Sequence, residues 1–407
     1  MGLRPPLAAL VETRALHSLT PPGAILATTS PASGTLGFYI HVPFCTKRCY
    51  YCSFNTSPLD DPASMRRYLT ALRREIETLG ALPWAGHVEL ASLFFGGGTP
   101  SLLEADAMAG ILDLVRRRFA LDRGAEITVE CNPESVTRDK LAAYRAAGVN
   151  RVSLGVQSLD DRILTHIGRL HDRRGARVAF EAARAAGCDN VSVDLMYGLP
   201  GLDVEAWTRA VDDVLDWGPE HLSAYGLTLD PGSLWGAAGV SGLLPEDDVV
   251  AQYWALARVA QARGFEHYEI SNYARPGFRS RHNLTYWRAA EYLAAGPGGC
   301  GFVGDVRYAN LKPLARYCAA TESGTLPIDT FERPTPAQRA AERLILGLRT
   351  SDGVPADALA ARAAGAPALA RRIADWRAAG WLADEGGQAR LTEAGFLVSD
   401  ALFVDLL

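Results

Sequence analysis

The chain has 407 residues, 48% of them hydrophobic and 21% charged, with a formal net charge of -5. That is enough for one large and one smaller domain, in a composition ordinary for a soluble globular protein. No run of lysine or arginine forms a basic tail, which argues against nucleic acid as the main partner. Cys131, Cys188, Cys300 and Cys318 are scattered and the total of seven cysteines is odd, so there is no disulfide framework and the expected compartment is a reducing cytoplasm. No apolar run approaches the roughly 20 residues of a membrane span.

Residues 1–36 are rich in Pro, Ala, Thr and Ser and read as a flexible tail. Leu7 to Val11 is too short for a signal-peptide core, and Glu12 and Arg14 interrupt it. Phe38 to Val42 alternates as a strand should, and Pro43 ends it. Directly after it stand Cys45, Cys49 and Cys52 in C-x3-C-x2-C spacing. Three thiols so close can converge on one small object. Zinc normally takes four ligands, often from a second C-x2-4-C pair, and none follows here. A [4Fe-4S] cluster is the other common use of close cysteines, and three thiolates would leave one of its irons open to a non-protein ligand.

Beyond the loop, helical and strand patterns alternate. Met65, Leu69, Leu72, Ile76 and Leu79 have the spacing of one helix face. Strands are expected at Ser92–Phe95, Glu126–Cys131, Arg151–Gln157, Val191–Gly198 and His221–Thr228. Helices are expected at Ala105–Phe119, Arg138–Ala147, Gly175–Ala186, Val204–Asp216 and Asp248–Arg263. Six strand-helix units imply a parallel sheet. Periodicity alone does not separate an open barrel from a doubly wound sheet. Polar residues sit at or near the C-terminal ends of the strands: Gly96-Gly97-Gly98-Thr99-Pro100, Glu130, Gln157, Asp194 and Gly226. Several such groups at the same end of successive strands point to a shared pocket.

After the barrel pattern come Tyr268 to Ala274, His282-Asn283-Leu284-Thr285-Tyr286-Trp287, and the glycine loop Gly296 to Gly301 that holds Cys300. An imidazole beside aromatic rings can serve as an axial ligand to haem iron, or the segment can be a capped loop packed on the barrel. The remainder has a Thr- and Pro-containing linker (Thr321 to Pro336), helical patterns at Ala337–Leu348 and Ala368–Leu382, and a turn at Glu385–Gln388. It is similar to a small winged-helix unit. Arg371, Arg372 and Arg377 are too few for nucleic-acid binding, so a structural or partner-docking lid is expected.

From about Phe38 to the C-terminus the chain resembles the radical S-adenosylmethionine (SAM) family. Within it, the resemblance is to the branch shared by oxygen-independent coproporphyrinogen III oxidases and HemW-type haem chaperones. The resemblance implies an α/β fold: a partial (β/α)6 TIM-like barrel over 37–275, the H-N-x-x-Y-W segment and glycine loop packed on it over 276–320, and a small C-terminal α+β, winged-helix-like domain over 321–407. It implies a [4Fe-4S] cluster on Cys45, Cys49 and Cys52. Positions matching a first SAM site are Tyr39, Gly97, Glu130 and Cys300, and those matching a second are Gly98, Thr99, Gln157, Arg169, Asp194 and Gly226. Haem is the implied cargo, held by His282, Asn283, Tyr286 and Trp287. The oxidases carry a further cysteine two residues after the last ligand, where this chain has Phe54, and H-N-x-x-Y-W belongs to the chaperones. Cys300 departs from the histidine that chaperones usually have in that loop. The expected function is therefore a monomeric or weakly dimeric cytoplasmic haem carrier that serves haem proteins, membrane-bound respiratory enzymes among them. The alternative is coproporphyrinogen III decarboxylation to protoporphyrinogen IX.

Overall fold

A computed structural model describes residues 21–406. The βα alternation is laid down in chain order. Strand β1 is Thr35–Val42, followed by α1 (Pro62–Gly80), β2 (Glu89–Gly97), α2 (Ala105–Arg118), β3 (Ala120–Cys131), α3 (Arg138–Ala147) and β4 (Arg151–Gln157). Next come α4 (Asp161–His166), α5 (Arg173–Ala185), β5 (Val191–Tyr197), α6 (Val204–Asp216), β6 (His221–Gly226), α7 (Leu234–Ala238) and α8 (Glu246–Ala262). Strands β1 to β6 pair in parallel, each with the next. The helices start where the sequence can cap them: Asp61, Thr137, Asp172 and Asp203 each accept a backbone N–H of the first turn.

The barrel sheet does not stop near residue 275. Strands β7 (Glu266–Glu269) and β8 (Asn272–Ala274) extend it antiparallel beyond β6. After α9 (Arg281–Trp287) the chain returns to the other edge. There β9 (Tyr292–Ala295) pairs in parallel with β1, and β10 (Cys300–Val303), β11 (Val306–Asn310) and β12 (Ile328–Glu332) follow antiparallel, with α10 (Leu314–Glu322) between the last two. The result is one 12-stranded sheet. The segment expected to pack on the barrel over 276–320 thus contributes three strands to its sheet, with β9 as the second parallel neighbour of β1. The last sheet strand, β12, lies inside the span assigned to the C-terminal unit.

That unit has its own apolar core around Leu344, Ile345, Leu348, Trp376 and Phe403. It contains α11 (Pro336–Leu348), β13 (Val354–Pro355), α12 (Ala356–Ala363), α13 (Pro367–Ala378), β14 (Leu382–Glu385) and β15 (Gln388–Leu391), with the three strands in one small sheet. The expected tail is also shorter than drawn. Residues 1–20 lie outside the described residues, but Pro22–Ala27 forms a 3-10 turn that buries Ile25 and Leu26. Trp84 Nε1 donates to Leu26 O at 3.0 Å, and the Ala32 and Ser33 amides donate to the Glu291 carboxylate at 3.0 and 2.6 Å. Two apolar side chains outweigh the Pro- and Ala-rich composition that reads as disorder.

One buried acid ties α1 to the β9 side of the sheet. Glu75, on the inner face of α1, accepts from Gly296 N at 2.8 Å, Asn310 Nδ2 at 2.6 Å and Tyr317 Oη at 2.5 Å. Burial pushes its carboxyl up to about 7, against the opposing pull of these three donors. Glu75→Ala strands all three donors in the interior, so stability is expected to fall by about 3 kcal/mol. Glu75→Gln, which keeps an acceptor, should lose less. Thermal melting of the two variants beside the parent checks this, and equal melting points would mean that water replaces the carboxylate.

Candidate functional site

The cysteine loop is held from the next strand. Gly98 N donates to Val42 O at 2.8 Å and Thr99 N to Phe44 O at 2.7 Å. A Cβ on Gly98 would stand 2.6 to 2.7 Å from the Pro43 and Phe44 backbones, so only glycine lets the end of β2 lie this close. The glycine run therefore first serves chain-to-chain contact with the cysteine loop. The sulfurs are then hydrogen-bonded: Thr99 Oγ1 donates to Cys45 Sγ at 3.6 Å and Arg169 to Cys49 Sγ at 3.7 Å. Arg169 is itself fixed by Asn132 Oδ1 at 2.9 Å and by Gly155 O. Burial pushes the Cys45 thiol up to about 11 and raises Cys52.

All three thiols are half-buried and reduced, and the other four described cysteines lie elsewhere in the chain. Among the described residues no three ligating side chains converge on a single metal ion. Three half-buried thiols on one loop, two of them accepting hydrogen bonds, suit a cluster, in which each thiolate takes its own iron. The donor set therefore fits a [4Fe-4S] group with one iron left open. Phe54, 63% exposed, stands two residues after Cys52.

Gln157, at the end of β4, has φ 67°, a left-handed conformation uncommon outside glycine. It lies at an irregularity in the β4–β5 pairing between Gly155 and Gln157. Such local strain collects at ligand sites.

Below the loop the barrel interior is polar. A cavity of about 200 Å³ is lined by Tyr39, Glu130, Arg151, Asp194, His282 and Asn283, together with Ser153, Ser223, Tyr225, Tyr286 and Phe94. Glu130 accepts from Gly97 N at 3.1 Å, and burial, reinforced by the nearby Asp194 charge, pushes it up to about 7. Asp194 accepts from Ser153 Oγ at 2.9 Å and Ser192 Oγ at 3.2 Å. Tyr39 points its hydroxyl at His41 Nδ1, 3.0 Å away, while His41 Nε2 donates to Asn55 O at 2.8 Å. A carbonyl can only accept, so Nε2 carries the proton and the Tyr39 hydroxyl is the donor. His41 thus ties Tyr39 to the far side of the cysteine loop. A broader recess of about 470 Å³ beside Ala142, Arg145 and Asn150 lacks convergent charged groups, so size does not mark the site.

The H-N-x-x-Y-W segment is α9, and it closes the opposite end of the barrel. Glu126 on β3 accepts from the Arg281 and His282 amides at 3.0 Å each. His282 is fully buried. Its Nδ1 bonds Ser92 Oγ at 2.8 Å, its Nε2 bonds Tyr286 Oη at 2.7 Å, and its ring stacks on Phe94 at 5.1 Å. Burial holds its pKa at about 3, so the ring is neutral. Both ring nitrogens are thus engaged, and in this arrangement the imidazole is not presented to haem iron. Trp287 does not face the cavity. Its ring lies 4.9 Å from the Arg349 guanidinium, which also covers Phe403 at 5.7 Å, so the C-terminal unit holds this end of α9.

The structure thus brings Cys45, Cys49, Cys52, Gly98, Thr99 and Arg169 together at one end. Tyr39, Glu130, Asp194, His282, Asn283 and Tyr286 line the cavity. Gly97 bridges the two groups through Glu130. Gly226 packs on the Tyr197 ring instead, and Cys300 is an exposed thiol whose nearest partner is Gly298 O at 3.7 Å. His41, Asn132 and Arg151 were not anticipated. For His41 the available signal is its place two residues from Tyr39 on the same strand face.

The Radical SAM superfamily model matches residues 39–214, and the HemN C-terminal domain model matches residues 335–398. The chain is 39% identical to "Heme chaperone HemW" of Mycobacterium tuberculosis, over 91% of this chain and 94% of that one. It is 38% identical to "Radical S-adenosyl methionine domain-containing protein 1, mitochondrial" of Bos taurus, over 80% and 75% of the two chains. Among solved structures it is similar to coproporphyrinogen III oxidase (HemN) from Escherichia coli, with TM-score 0.79 and 22% identity over 94% of this chain and 92% of that one. At that identity the similarity shows the fold alone.

Proposed function

Because the chain belongs to the HemW family of radical SAM proteins, we propose that it is a haem chaperone: it binds haem and delivers it to haem proteins. The observation that carries the reading is the match over nine-tenths of the chain to haem chaperones. It is joined by an exposed Phe54 where the oxidases have a cysteine beside the cluster loop. Cys45, Cys49 and Cys52 would hold a [4Fe-4S] cluster. The cavity face of Tyr39, Gly97 and Glu130 would receive SAM, with Gly98, Thr99, Gln157 and Asp194 near it. The cluster supplies an electron and an open iron site when bound.

His282 is the proposed haem ligand, which requires α9 to draw back from the strand starts and release the ring from Ser92 and Tyr286. Among the described residues no helix is long and apolar enough to cross a membrane. Cytoplasmic residence and transient docking on membrane-bound respiratory recipients complete the proposal.

The test is anaerobic reconstitution followed, in one preparation, by haem titration and an assay on coproporphyrinogen III. Haem binding without vinyl product is expected. Vinyl product without haem binding would replace the carrier by the oxidase.

Glu130 adds a pH signature. Its carboxyl, pushed up to about 7, must be ionised to pair with the SAM ammonium, so SAM affinity should rise by up to about eightfold from pH 6 to 7.5. Glu130→Gln should bind weakly with no such rise, while its iron content is unchanged. Equilibrium dialysis across that range reads both outcomes.

A further inference from the structure

Arg151 opens β4, its backbone paired with Thr128, and its side chain lines the cavity with that of Ser153, two residues on. It is only 2% exposed. Its Nε has no hydrogen-bond partner, and no ion pair among the described residues includes it. Both carboxylates of the cavity feel its charge from beyond ion-pair reach, and each is already engaged: Asp194 by serine hydroxyls and Glu130 by the Gly97 amide. His221 and His282, also within its field, are held neutral, so no second cation competes with it. An isolated buried charge costs several kcal/mol. A residue that breaks a packing rule in this way is expected where function offsets the cost.

The cavity holds about 200 Å³, less than the roughly 300–1,000 Å³ of sites that enclose a whole drug-sized ligand. It takes a narrow arm and excludes a macrocycle. A planar guanidinium fork is the side chain best matched to a carboxylate, and the Asn283 amide stands on the same wall, at the end that α9 closes.

We propose that Arg151 is a carboxylate anchor inside the barrel, receiving one propionate arm of haem while the macrocycle stays outside between α9 and the strand starts. This rests on the haem-carrier reading above. It gives the cargo two fixed points: iron on the α9 imidazole and an acid on the barrel wall.

The test titrates haem and haem dimethyl ester, in which both propionates are blocked, into the wild-type protein, Arg151→Gln and Arg151→Lys. Wild type should bind haem at least about tenfold tighter than the ester, as expected for one charge-assisted pair. Arg151→Gln should bring haem down to the ester's affinity and leave the ester unchanged, with Arg151→Lys between. SAM affinity should not move in Arg151→Lys, which keeps the charge that Glu130 feels. Arg151→Met should melt no lower than wild type, since no protein bond is lost.

Equal wild-type affinities for haem and ester would overturn the anchor while sparing the carrier. So would an equal loss for both ligands in Arg151→Gln, which would make Arg151 a structural strut. Weakened SAM binding with an intact haem-to-ester ratio would show that the arm is the SAM carboxylate, and would overturn the proposal too. Wild type binding neither porphyrin would sink the carrier reading itself.

Discussion

Replacing any one of Cys45, Cys49 and Cys52 by serine is expected to take the anaerobically prepared protein from about four irons and four sulfides per chain to almost none. The reason is the donor count. Only three thiols lie on the loop, and the other described cysteines, Cys131, Cys188, Cys300 and Cys318, lie elsewhere in the chain, so no spare thiolate can take over. Partial compensation is expected only in the hydrogen bonds to sulfur. Thr99→Val or Arg169→Met should retain the iron but make the cluster more labile to air, since each removes one donor to a sulfur. Iron and sulfide analysis with the visible absorption of the reduced and oxidised protein reads both effects. Full iron content in a single cysteine variant would show that the three residues are not the ligand set. Zinc in place of iron would overturn the family-based cofactor assignment for this chain.

His282→Ala is expected to act twice. It empties a fully buried site and strands the hydroxyls of Ser92 and Tyr286, which should lower stability by about 3–4 kcal/mol. Among chains still folded at low temperature, haem affinity should fall and the Soret band should shift, with iron content unchanged. Ser92→Ala separates the two effects. It removes only the bond that holds Nδ1, so it favours release of the ring and should raise apparent haem affinity severalfold although the protein melts lower. Unchanged haem spectra in both variants would leave His282 as a strut and turn attention to Cys300.

The pH dependence has a definite sign. His282 titrates near 6.5 when unfolded and at about 3 in the fold. The unfolded chain thus takes up a proton that the fold refuses, and this stabilising contribution, whole above pH 6.5, is lost as pH falls from 6.5 toward 3. Glu75, Glu130 and Glu269, each raised to about 7 by burial, act in the opposite sense, losing their contribution as pH rises from about 4.5 through 7. The comparison is therefore wild type against His282→Gln. Wild type should lose stability more steeply than the variant on acidification below pH 6.5.

Much was legible along the chain because it is local. The C-x3-C-x2-C spacing, the Gly-Gly-Gly-Thr-Pro run at a strand end, and the period shifts between two and 3.6 residues are written in consecutive residues. They suffice for six parallel βα units and for the cysteine loop. Inward alternation on a strand also makes Glu130 and Asp194 plausible pocket groups. The recognised family supplied the H-N-x-x-Y-W assignment, which local chemistry alone did not settle.

What only the tertiary structure decided is where these pieces stand relative to one another. Periodicity shows that a side chain faces inward but not which end of the barrel it closes. α9, some 240 residues after β1 in the chain, seals the strand starts, so the motif read as a presented ligand is a buried plug bonded to Ser92, Glu126 and Tyr286. Strand β9 fills the gap beside β1 because a parallel strand needs a hydrogen-bonding neighbour on each side. Arg151 looks in sequence like an ordinary arginine before an apolar strand. Its isolation is a sum over β3, β5, β6 and α9, none of which brings a carboxylate within ion-pair reach, and burial turns that absence of a partner into a binding capacity.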